Sequence, residues 1–128
     1  MNIFGIGTDI VEISRIEDSI DRLGAKFLDR VYTDAEQKYC SKMGRPAVHF
    51  AGRFAAKEAI VKAMGTGIGE HANWTDLEIL NGENGKPFLT LDGPAEEFAS
   101  QNAIVEIHLS LSHAKHYATA QAVAVTKE

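Results

Sequence analysis

The stretch from Arg53 to Gly69, RFAAKEAIVKAMGTGIG, predicts a helix that runs into a glycine-rich turn. The alanines in its first part favour helix by their intrinsic propensity. Gly65 follows Met64 at the kind of position where a glycine ends a helix, and Pro46 upstream suits a first helical turn. We therefore predict one long helix, which begins near Pro46, ends before Gly65 and organises the rest of the chain.

Charged residues lie along two lines of this helix. At about 3.6 residues per turn, Arg53 and Lys57 share one line, and Glu58 and Lys62 share another. Apolar residues flank both lines, whereas a typical surface helix has one apolar stripe and one polar face. Ionised side chains rarely stay buried without a partner, so we infer a largely buried helix whose charges face a cleft or an interface. The alternative is an ordinary surface ion pair between Glu58 and Lys62.

Composition limits the classes of protein that this chain can belong to. With 128 residues, of which 45% are hydrophobic and 24% charged, we expect one soluble globular domain over residues 1–128. The net charge of −5 and the lack of a basic tail argue against a non-specific nucleic-acid binder. Cys40 is the only cysteine, so no internal disulfide can form. With no secretory signal and no membrane-spanning run, we expect a cytoplasmic protein without membrane association.

Hydrophobic patterns and turn residues predict further strands and helices around the central helix. The predicted strands are Ile3–Ile13, Trp74–Leu80, Phe88–Leu91, Ile104–Ser112 and Tyr117–Thr126. Shorter helices are predicted to begin near Ser14, Lys26, Thr33 and Gly93. These elements predict an α+β fold, in which a mostly antiparallel sheet packs against the long central helix and the shorter helices.

Local signals add expectations about individual elements. Ser14 with Glu17, and Thr33 with Glu36, form capping-box patterns that mark the starts of two helices. Alternation in the fourth strand places Val105 on the same face as the apolar residues that follow it. The last strand has alanine at every second position, so we expect its alanine face to pack closely against the central helix.

The first predicted strand contains a carboxylate and two glycines that do not suit a strand. Asp9 belongs to a residue type that is depleted in strands, and Gly5 and Gly7 weaken a strand unless another backbone or a ligand comes close. One interpretation is that Asp9 caps a bend or accepts backbone hydrogen bonds. Another is that Asp9 and Glu58 bind one Mg²⁺ ion, which typically takes one or two protein carboxylates and completes its shell with water and substrate phosphates.

Other residues near the central helix could bind phosphate groups. Lys62 lies one turn from Glu58 and could hold a phosphate, while the turn around Gly67 could direct backbone N–H groups at phosphate oxygens. Arg53 could meet a second phosphate. His113, at the end of a predicted strand, is either a ligand contact or a plain turn histidine. Together these residues suggest a Mg²⁺-dependent enzyme that acts on a multiply phosphorylated substrate.

Several motifs occur in a fixed order along nearly the whole chain: Gly5–Ile16, Arg53–Gly67, Gly85–Pro87 and Leu109–His113. In these motifs the chain resembles the short bacterial 4′-phosphopantetheinyl transferase family, the holo-[acyl-carrier-protein] synthases. The resemblance implies an enzyme of lipid metabolism and fatty acid biosynthesis, which uses coenzyme A and Mg²⁺. In the implied reaction, a serine hydroxyl of apo acyl carrier protein attacks the phosphorus that bears pantetheine. Holo carrier protein and adenosine 3′,5′-bisphosphate are then released.

The resemblance also implies roles for individual residues. Asp9 and Glu58 match the metal ligands of the family, and Glu58 and Lys62 match its catalytic positions. The positions implied for coenzyme A binding are Arg53, Lys62, Gly67 and His113. The base that accepts the serine proton is a separate hypothesis, in which Glu58 acts through a metal-bound water molecule.

Partners follow from the same resemblance. It implies a homotrimer with active sites between subunits, and docking of the acidic carrier protein on the first helix, where Arg15 and Arg22 are the candidates. Asp18 and Asp21 lie on the same helix and the net charge is −5, so the overall charge of the protein cannot attract an acidic carrier. The carrier must therefore be recognised locally, by the individual arginines.

Two other classes of function use the same residues. A Mg²⁺-dependent phosphohydrolase could employ the same carboxylates and lysine to release product from a nucleotide without a carrier protein. An oligomeric nucleotide-binding module without enzymatic activity is the second alternative, and in it Asp9 and Glu58 are purely structural.

Overall fold

The computed structural model describes residues 1–127, which form an α+β arrangement as predicted. In chain order the elements are β1 (Asn2–Glu12), α1 (Ile13–Leu23), α2 (Ala25–Val31), α3 (Asp34–Ser41), α4 (Pro46–Met64), a short 3₁₀ helix (Trp74–Asp76), β2 (Leu77–Asn81), β3 (Pro87–Leu91), α5 (Gly93–Gln101), β4 (Ile104–His113) and β5 (Tyr117–Thr126). All strand pairs are antiparallel. They divide into a three-stranded sheet, in the order β1-β5-β4, and a separate hairpin of β2 and β3.

The central helix α4 has the boundaries that the sequence predicts. Pro46 lies in its first turn, and Gly65 ends it in the left-handed conformation with φ of 80°. Most of its residues are buried, including the charged side chains of Arg53 and Lys57. None of the helices within residues 1–127 combines the length and the apolar character that crossing a bilayer requires.

Small residues let α4 lie directly on the three-stranded sheet. Three alanines of β5 are fully buried in the same cluster as Ala59 and Ala63 of α4, which confirms the predicted close packing: Ala120, Ala122 and Ala124. A β-carbon at Gly7 would collide with the Ala59 carbonyl oxygen, and one at Gly5 would collide with the Ala63 carbonyl oxygen. The two glycines of β1 are therefore needed because the backbone of α4 comes so close.

The start of α1 differs from the prediction. The helix begins at Ile13, with Glu12 at the N-cap position and no side-chain cap, so the predicted capping box of Ser14 and Glu17 is wrong. Ile13 and Ile16 are buried, and we attribute the start of α1 to this packing rather than to a cap. The second predicted capping box, at the start of α3, is confirmed by reciprocal hydrogen bonds between Thr33 and Glu36.

Two strands also depart from the sequence pattern. In β4 the register shifts between Ile104 and Glu106, so Ile104 is buried and Val105 is exposed, contrary to the predicted alternation. A bulge of this kind inserts one residue and reverses the facing of the residues before it. Strand β2 begins at Leu77 rather than Trp74 because the preceding residues form the 3₁₀ helix.

The three-stranded sheet is covered by α4 on one face only. On its other face, which we call the open sheet face, β1 and β5 expose apolar side chains: Ile3, Ile6, Ile10 and Tyr117. Exposed apolar patches on a folded protein commonly mark surfaces of association.

Candidate functional site

Helix α4 presents its charged residues on two flanks, as the two predicted lines require. The open flank carries Glu58 and Lys62 and faces Asp9 of β1. The closed flank carries Arg53 and Lys57 and faces α3 and the start of the β2–β3 hairpin. The two flanks differ in how far their side chains are satisfied within the chain.

On the open flank, Lys62 reaches across to β1. Its Nζ donates to the Thr8 carbonyl oxygen at 3.0 Å and lies 3.2 Å from Asp9 Oδ1. The Lys62 side chain is 51% exposed and that of Asp9 18% exposed, so the pair borders solvent. The side chain of Glu58 makes no ion pair or hydrogen bond within residues 1–127, and the alternative prediction of a Glu58–Lys62 ion pair is therefore wrong.

Glu58 and Asp9 form a pair of like charges with one neighbouring ammonium. The pKa of Glu58 is raised, first by burial and second by the charge of Asp9, while Lys62 lowers it in part. Two ionised carboxylates that face one another disfavour each other, and a divalent cation between them would relieve the repulsion. The donor set fits Mg²⁺, because two carboxylates leave the remaining positions to water and substrate phosphates. Within residues 1–127 no group of three or more potential side-chain ligands occurs.

The glycine turn after α4 is partly engaged in ending the helix. Gly65, Thr66 and Gly67 all direct their backbone N–H groups at the Val61 carbonyl oxygen, at 2.9, 3.0 and 3.3 Å. Gly67 itself is left-handed, with φ of 66°. A role for the Gly67 N–H in phosphate binding stays a prediction.

The closed flank is dominated by a buried ion pair that sequence reasoning missed. Lys57 Nζ lies 2.7 Å from Glu36 Oε1 and also donates to the carbonyl oxygens of Val31 and Trp74, at 2.6 and 3.0 Å. Glu36 Oε2 accepts a hydrogen bond of 2.8 Å from the Ile79 backbone. Burial lowers the pKa of Lys57, and Glu36 opposes that effect. The capping box was the one sequence signal near Glu36, and it gave no hint of the partner on α4.

Arg53 and His113 line a common cavity, which we call the basic cavity. Its volume is about 190 Å³, and its lining residues are Tyr39, Val48, His49, Gly52, Arg53, Asn81, Gly85, Pro87, Leu111, Ser112 and His113. Arg53 is fixed by bonds from Nε to the Ile79 carbonyl oxygen at 3.0 Å and from Nη2 to Asn81 Oδ1 at 2.6 Å. Its guanidinium carbon also lies 4.6 Å from the centre of the Tyr39 ring.

The two groups of predicted site residues are separated by α4. Asp9 lies on β1 and His113 on β4, which are the opposite edges of the three-stranded sheet. The two edges are about 10 Å apart, two strand spacings, and α4 packs on the sheet face between them. One chain thus brings Asp9, Glu58 and Lys62 together, and brings Arg53 and His113 together, but does not join the two groups.

The candidate carrier-binding residues lie on α1, outside both groups. Arg15 and Arg22 are exposed, and Arg22 pairs with Asp18 at 3.4 Å. Arg15 takes part in no ion pair within residues 1–127.

A larger groove of about 890 Å³ lies between β3, β4 and α5. None of the predicted site residues lines it, so its size does not make it the candidate site.

Known proteins are similar to this chain over most of its length. A model of the 4′-phosphopantetheinyl transferase superfamily matches residues 5–123. A curated holo-[acyl-carrier-protein] synthase of Protochlamydia amoebophila is 51% identical over 120 residues, which cover 93% of this chain and 95% of that protein.

Solved structures are similar over nearly the whole length. The holo-[acyl-carrier-protein] synthase of Neisseria meningitidis matches with a TM-score of 0.92 and 34% identity, over 98% of this chain and 100% of that one. The enzyme of the same name from Helicobacter pylori, in complex with coenzyme A, matches with a TM-score of 0.84 and 34% identity, over 94% and 99% of the two chains.

Proposed function

The chain belongs to the 4′-phosphopantetheinyl transferase superfamily, and we propose that it transfers 4′-phosphopantetheine from coenzyme A to a serine of apo acyl carrier protein. The serine oxygen forms a bond to the phosphorus that bears pantetheine. The bridging P–O bond of the pyrophosphate breaks, and adenosine 3′,5′-bisphosphate leaves with the electron pair. The observation that carries this assignment is the open flank, where two carboxylates and a lysine meet at the surface of a fold shared with known holo-[acyl-carrier-protein] synthases.

Asp9 and Glu58 are the residues proposed to hold Mg²⁺. The bound ion would offset the charge of the pyrophosphate and polarise its phosphoryl oxygens. Lys62, held against β1 by Thr8 and Asp9, directs an ammonium at the same place, where it stabilises the charge that develops on the leaving bisphosphate. Glu58 is the proposed base for the serine proton, through one water molecule, and the raised pKa of its carboxyl group makes the carboxylate a stronger proton acceptor.

The basic cavity is proposed to bind the nucleotide end of coenzyme A. Arg53 supplies positive charge for a phosphate, the ring of His113 can donate a hydrogen bond to it, and Asn81 and Gly85 of the hairpin form part of the wall. Arg53 is already fixed by the hairpin and by the ring of Tyr39, so little conformational freedom is lost when a ligand binds.

A homotrimer with active sites between subunits is part of this proposal. The pyrophosphate site and the nucleotide site lie on different flanks of α4, so one coenzyme A molecule could contact both more easily if a second copy supplied one of them. The apolar side chains of the open sheet face offer a surface for that contact. Light scattering tests this point: Ile6→Asp, on the open sheet face, should yield a monomer that no longer binds coenzyme A. A fully active monomer would contradict it.

The remaining elements of the proposal concern the setting of the reaction. Residues 1–128 act as one domain, and Arg15 and Arg22 form the docking surface for an acidic carrier protein. A cytoplasmic location and a role in fatty acid biosynthesis belong to the same proposal, and the free, buried thiol of Cys40 is compatible with a reducing compartment.

Intact-protein mass spectrometry tests the proposed function. The protein is incubated with apo acyl carrier protein, coenzyme A and Mg²⁺, with and without EDTA. We expect the carrier to gain the mass of one phosphopantetheine, and EDTA to abolish the gain. Breakdown of coenzyme A without modification of the carrier would instead indicate a phosphohydrolase, and intact coenzyme A with an unmodified carrier would favour a binding module.

A further inference from the structure

The basic cavity contains a third basic side chain, His49, which no sequence pattern singled out. The lining residues include Arg53, His49 and His113 but no aspartate or glutamate. The hydrogen bonds of the Arg53 guanidinium bear on the same point. Within residues 1–127, Arg53 Nη1 donates no hydrogen bond, and Arg53 is one of the residues that line the cavity. A cavity with this lining is suited to an anion.

His49 is held in the cavity wall by its neighbours. Its ring packs edge-on against Tyr39 of α3, with ring centres 6.2 Å apart. Arg53 lies one turn later on α4, and His113 faces it from β4. The hairpin contributes only uncharged residues to the wall: Asn81, Gly85 and Pro87. The charges that act on His49 are therefore all positive.

These surroundings favour the neutral imidazole when the cavity holds no anion. Burial is the largest cause that lowers the pKa of His49, and the charges of Arg53 and His113 lower it further. A phosphate dianion beside the ring would act in the opposite direction, because an opposite charge nearby stabilises the protonated form.

We propose that His49 is a third anion-binding group of the basic cavity, which takes up a proton when a phosphate monoester binds between it, Arg53 and His113. The anionic character of the ligand follows from the lining of the cavity. Its identity as the 3′-phosphate of coenzyme A rests on the proposed function. His49 would thereby make coenzyme A binding sensitive to pH.

The direction in which ligand affinity changes with pH follows from the pKa of His49 in the free protein and in the complex. In the free protein the pKa of His49 is lowered, and in the complex it is higher, so binding takes up protons at a pH between the two values. Affinity is greatest below the pKa of the free protein and decreases as pH rises through that of the complex. One linked proton changes affinity by at most about tenfold per pH unit within this interval.

Isothermal titration calorimetry with adenosine 3′,5′-bisphosphate tests the proposal. Titrations at pH 7, in buffers with different ionisation enthalpies, count the protons taken up. We expect net proton uptake by the wild type, clearly less by His49→Gln, and a loss of about tenfold in the affinity of His49→Gln at pH 6. His71→Gln is the matched control, since His71 is 59% exposed, does not line the cavity and should leave both values unchanged.

A second variant and a second ligand separate a role in binding from a role in folding. His49→Phe keeps an aromatic ring against Tyr39 and should lose the same proton uptake. Adenosine 5′-monophosphate lacks the 3′-phosphate, and we expect its binding to show no proton uptake that depends on His49. Equal proton uptake by the wild type and His49→Gln would overturn the proposal, as would failure of the bisphosphate to bind the wild type.

The carrier assay on the same preparations distinguishes this proposal from the proposed function. If the wild type modifies the carrier while His49→Gln shows unchanged proton uptake, only the role of His49 is wrong. If the wild type fails to modify the carrier but shows proton uptake that depends on His49, the cavity still binds a phosphate monoester and the proposed reaction is wrong.

Discussion

On the closed flank of α4, Lys57 donates to three acceptors within the chain, whereas on the open flank Glu58 has no side-chain partner within residues 1–127. Both are charged residues of one helix, adjacent in sequence. The ammonium of Lys57 has three N–H donors and uses all of them, so nothing remains for a ligand. The difference indicates that a satisfied hydrogen-bonding capacity, rather than burial or charge, separates a structural charge from a candidate catalytic one.

Arg53 stands between these two cases. Two of its nitrogens bind the hairpin, as in a structural residue, whereas Nη1 donates no hydrogen bond within residues 1–127 and the residue lines the basic cavity. The same side chain can therefore hold the hairpin against α4 and contact a ligand. Replacing it would mix a loss of stability with a loss of binding, so it is a poor test of either role.

The largest expected effect is on the closed flank. Lys57→Met should lower the free energy of unfolding by about 3–5 kcal/mol, because it leaves the fully buried carboxylate of Glu36 without its cation. Chemical denaturation measures the change. The matched control on the open flank is Lys62→Met, which removes a half-exposed ammonium and should cost less than about 1 kcal/mol. If both variants lost a similar amount of unfolding free energy, the two flanks would not differ in how much their lysines stabilise the fold.

Much of this comparison could be predicted from the sequence because it depends on local spacing. The boundaries of α4, its two lines of charge and the close packing at Gly5 and Gly7 follow from helical periodicity and from residue size. The proximity of Asp9 to Glu58 and Lys62 is also confirmed.

Contacts between distant segments could not be predicted in the same way. The partner of Lys57 is Glu36 of α3, and it is specified by packing between elements that no periodicity connects. His49 was missed because a histidine on an apolar helix has no distinguishing pattern until β4 and α3 surround it. The bulge at Val105 and the uncapped start of α1 were mispredicted for a related reason, since tertiary packing overrode a local signal.

The second prediction concerns catalysis on the open flank. Glu58→Gln should reduce the rate of carrier modification by at least about 100-fold, because it removes a proposed metal ligand and base while preserving size. Stopped reactions analysed by intact-protein mass spectrometry measure the rate. The control is Glu97→Gln, on the exposed side of α5, which should retain wild-type activity. An unchanged rate in Glu58→Gln would mean that the active site does not lie on this flank.

The third prediction uses stability to detect metal binding without an activity assay. The pKa of Glu58 is raised, so the fold favours its protonated form, and ionisation of Glu58 removes stability as pH rises through that pKa. In EDTA, Glu58→Gln should therefore be at least as stable as the wild type at pH 7. Mg²⁺ should raise the melting temperature of the wild type by about 3 °C, through binding to the folded state alone.

Asp9→Asn and Glu58→Gln should both lose this shift in melting temperature, and the wild type should lose it as pH falls and Glu58 becomes protonated. Differential scanning calorimetry with a range of Mg²⁺ concentrations provides the measurement. A shift of the same size in all three proteins would mean that Mg²⁺ binds elsewhere on the chain.

The smallest expected effect lies on α1. Two exposed arginines on this helix repeat the comparison between a charge that has a partner within the chain and one that has none. Arg22 pairs with Asp18, whereas Arg15 takes part in no ion pair within residues 1–127. A free guanidinium presents a stronger local field to an acidic carrier than one that is partly neutralised. Exposed charges at the rim of an interface act mainly on the association rate.

Arg15→Glu should therefore raise the KM for carrier protein by about five- to tenfold at low salt, leave kcat and the affinity for coenzyme A unchanged, and lose most of its effect at high salt. Arg22→Glu should have a smaller effect, because the guanidinium that it removes is already paired with Asp18. Steady-state kinetics at two salt concentrations measure both variants. If the two arginines contributed equally, pairing within the chain would not govern recognition on α1, and the contrast between the flanks of α4 would apply only where side chains are buried.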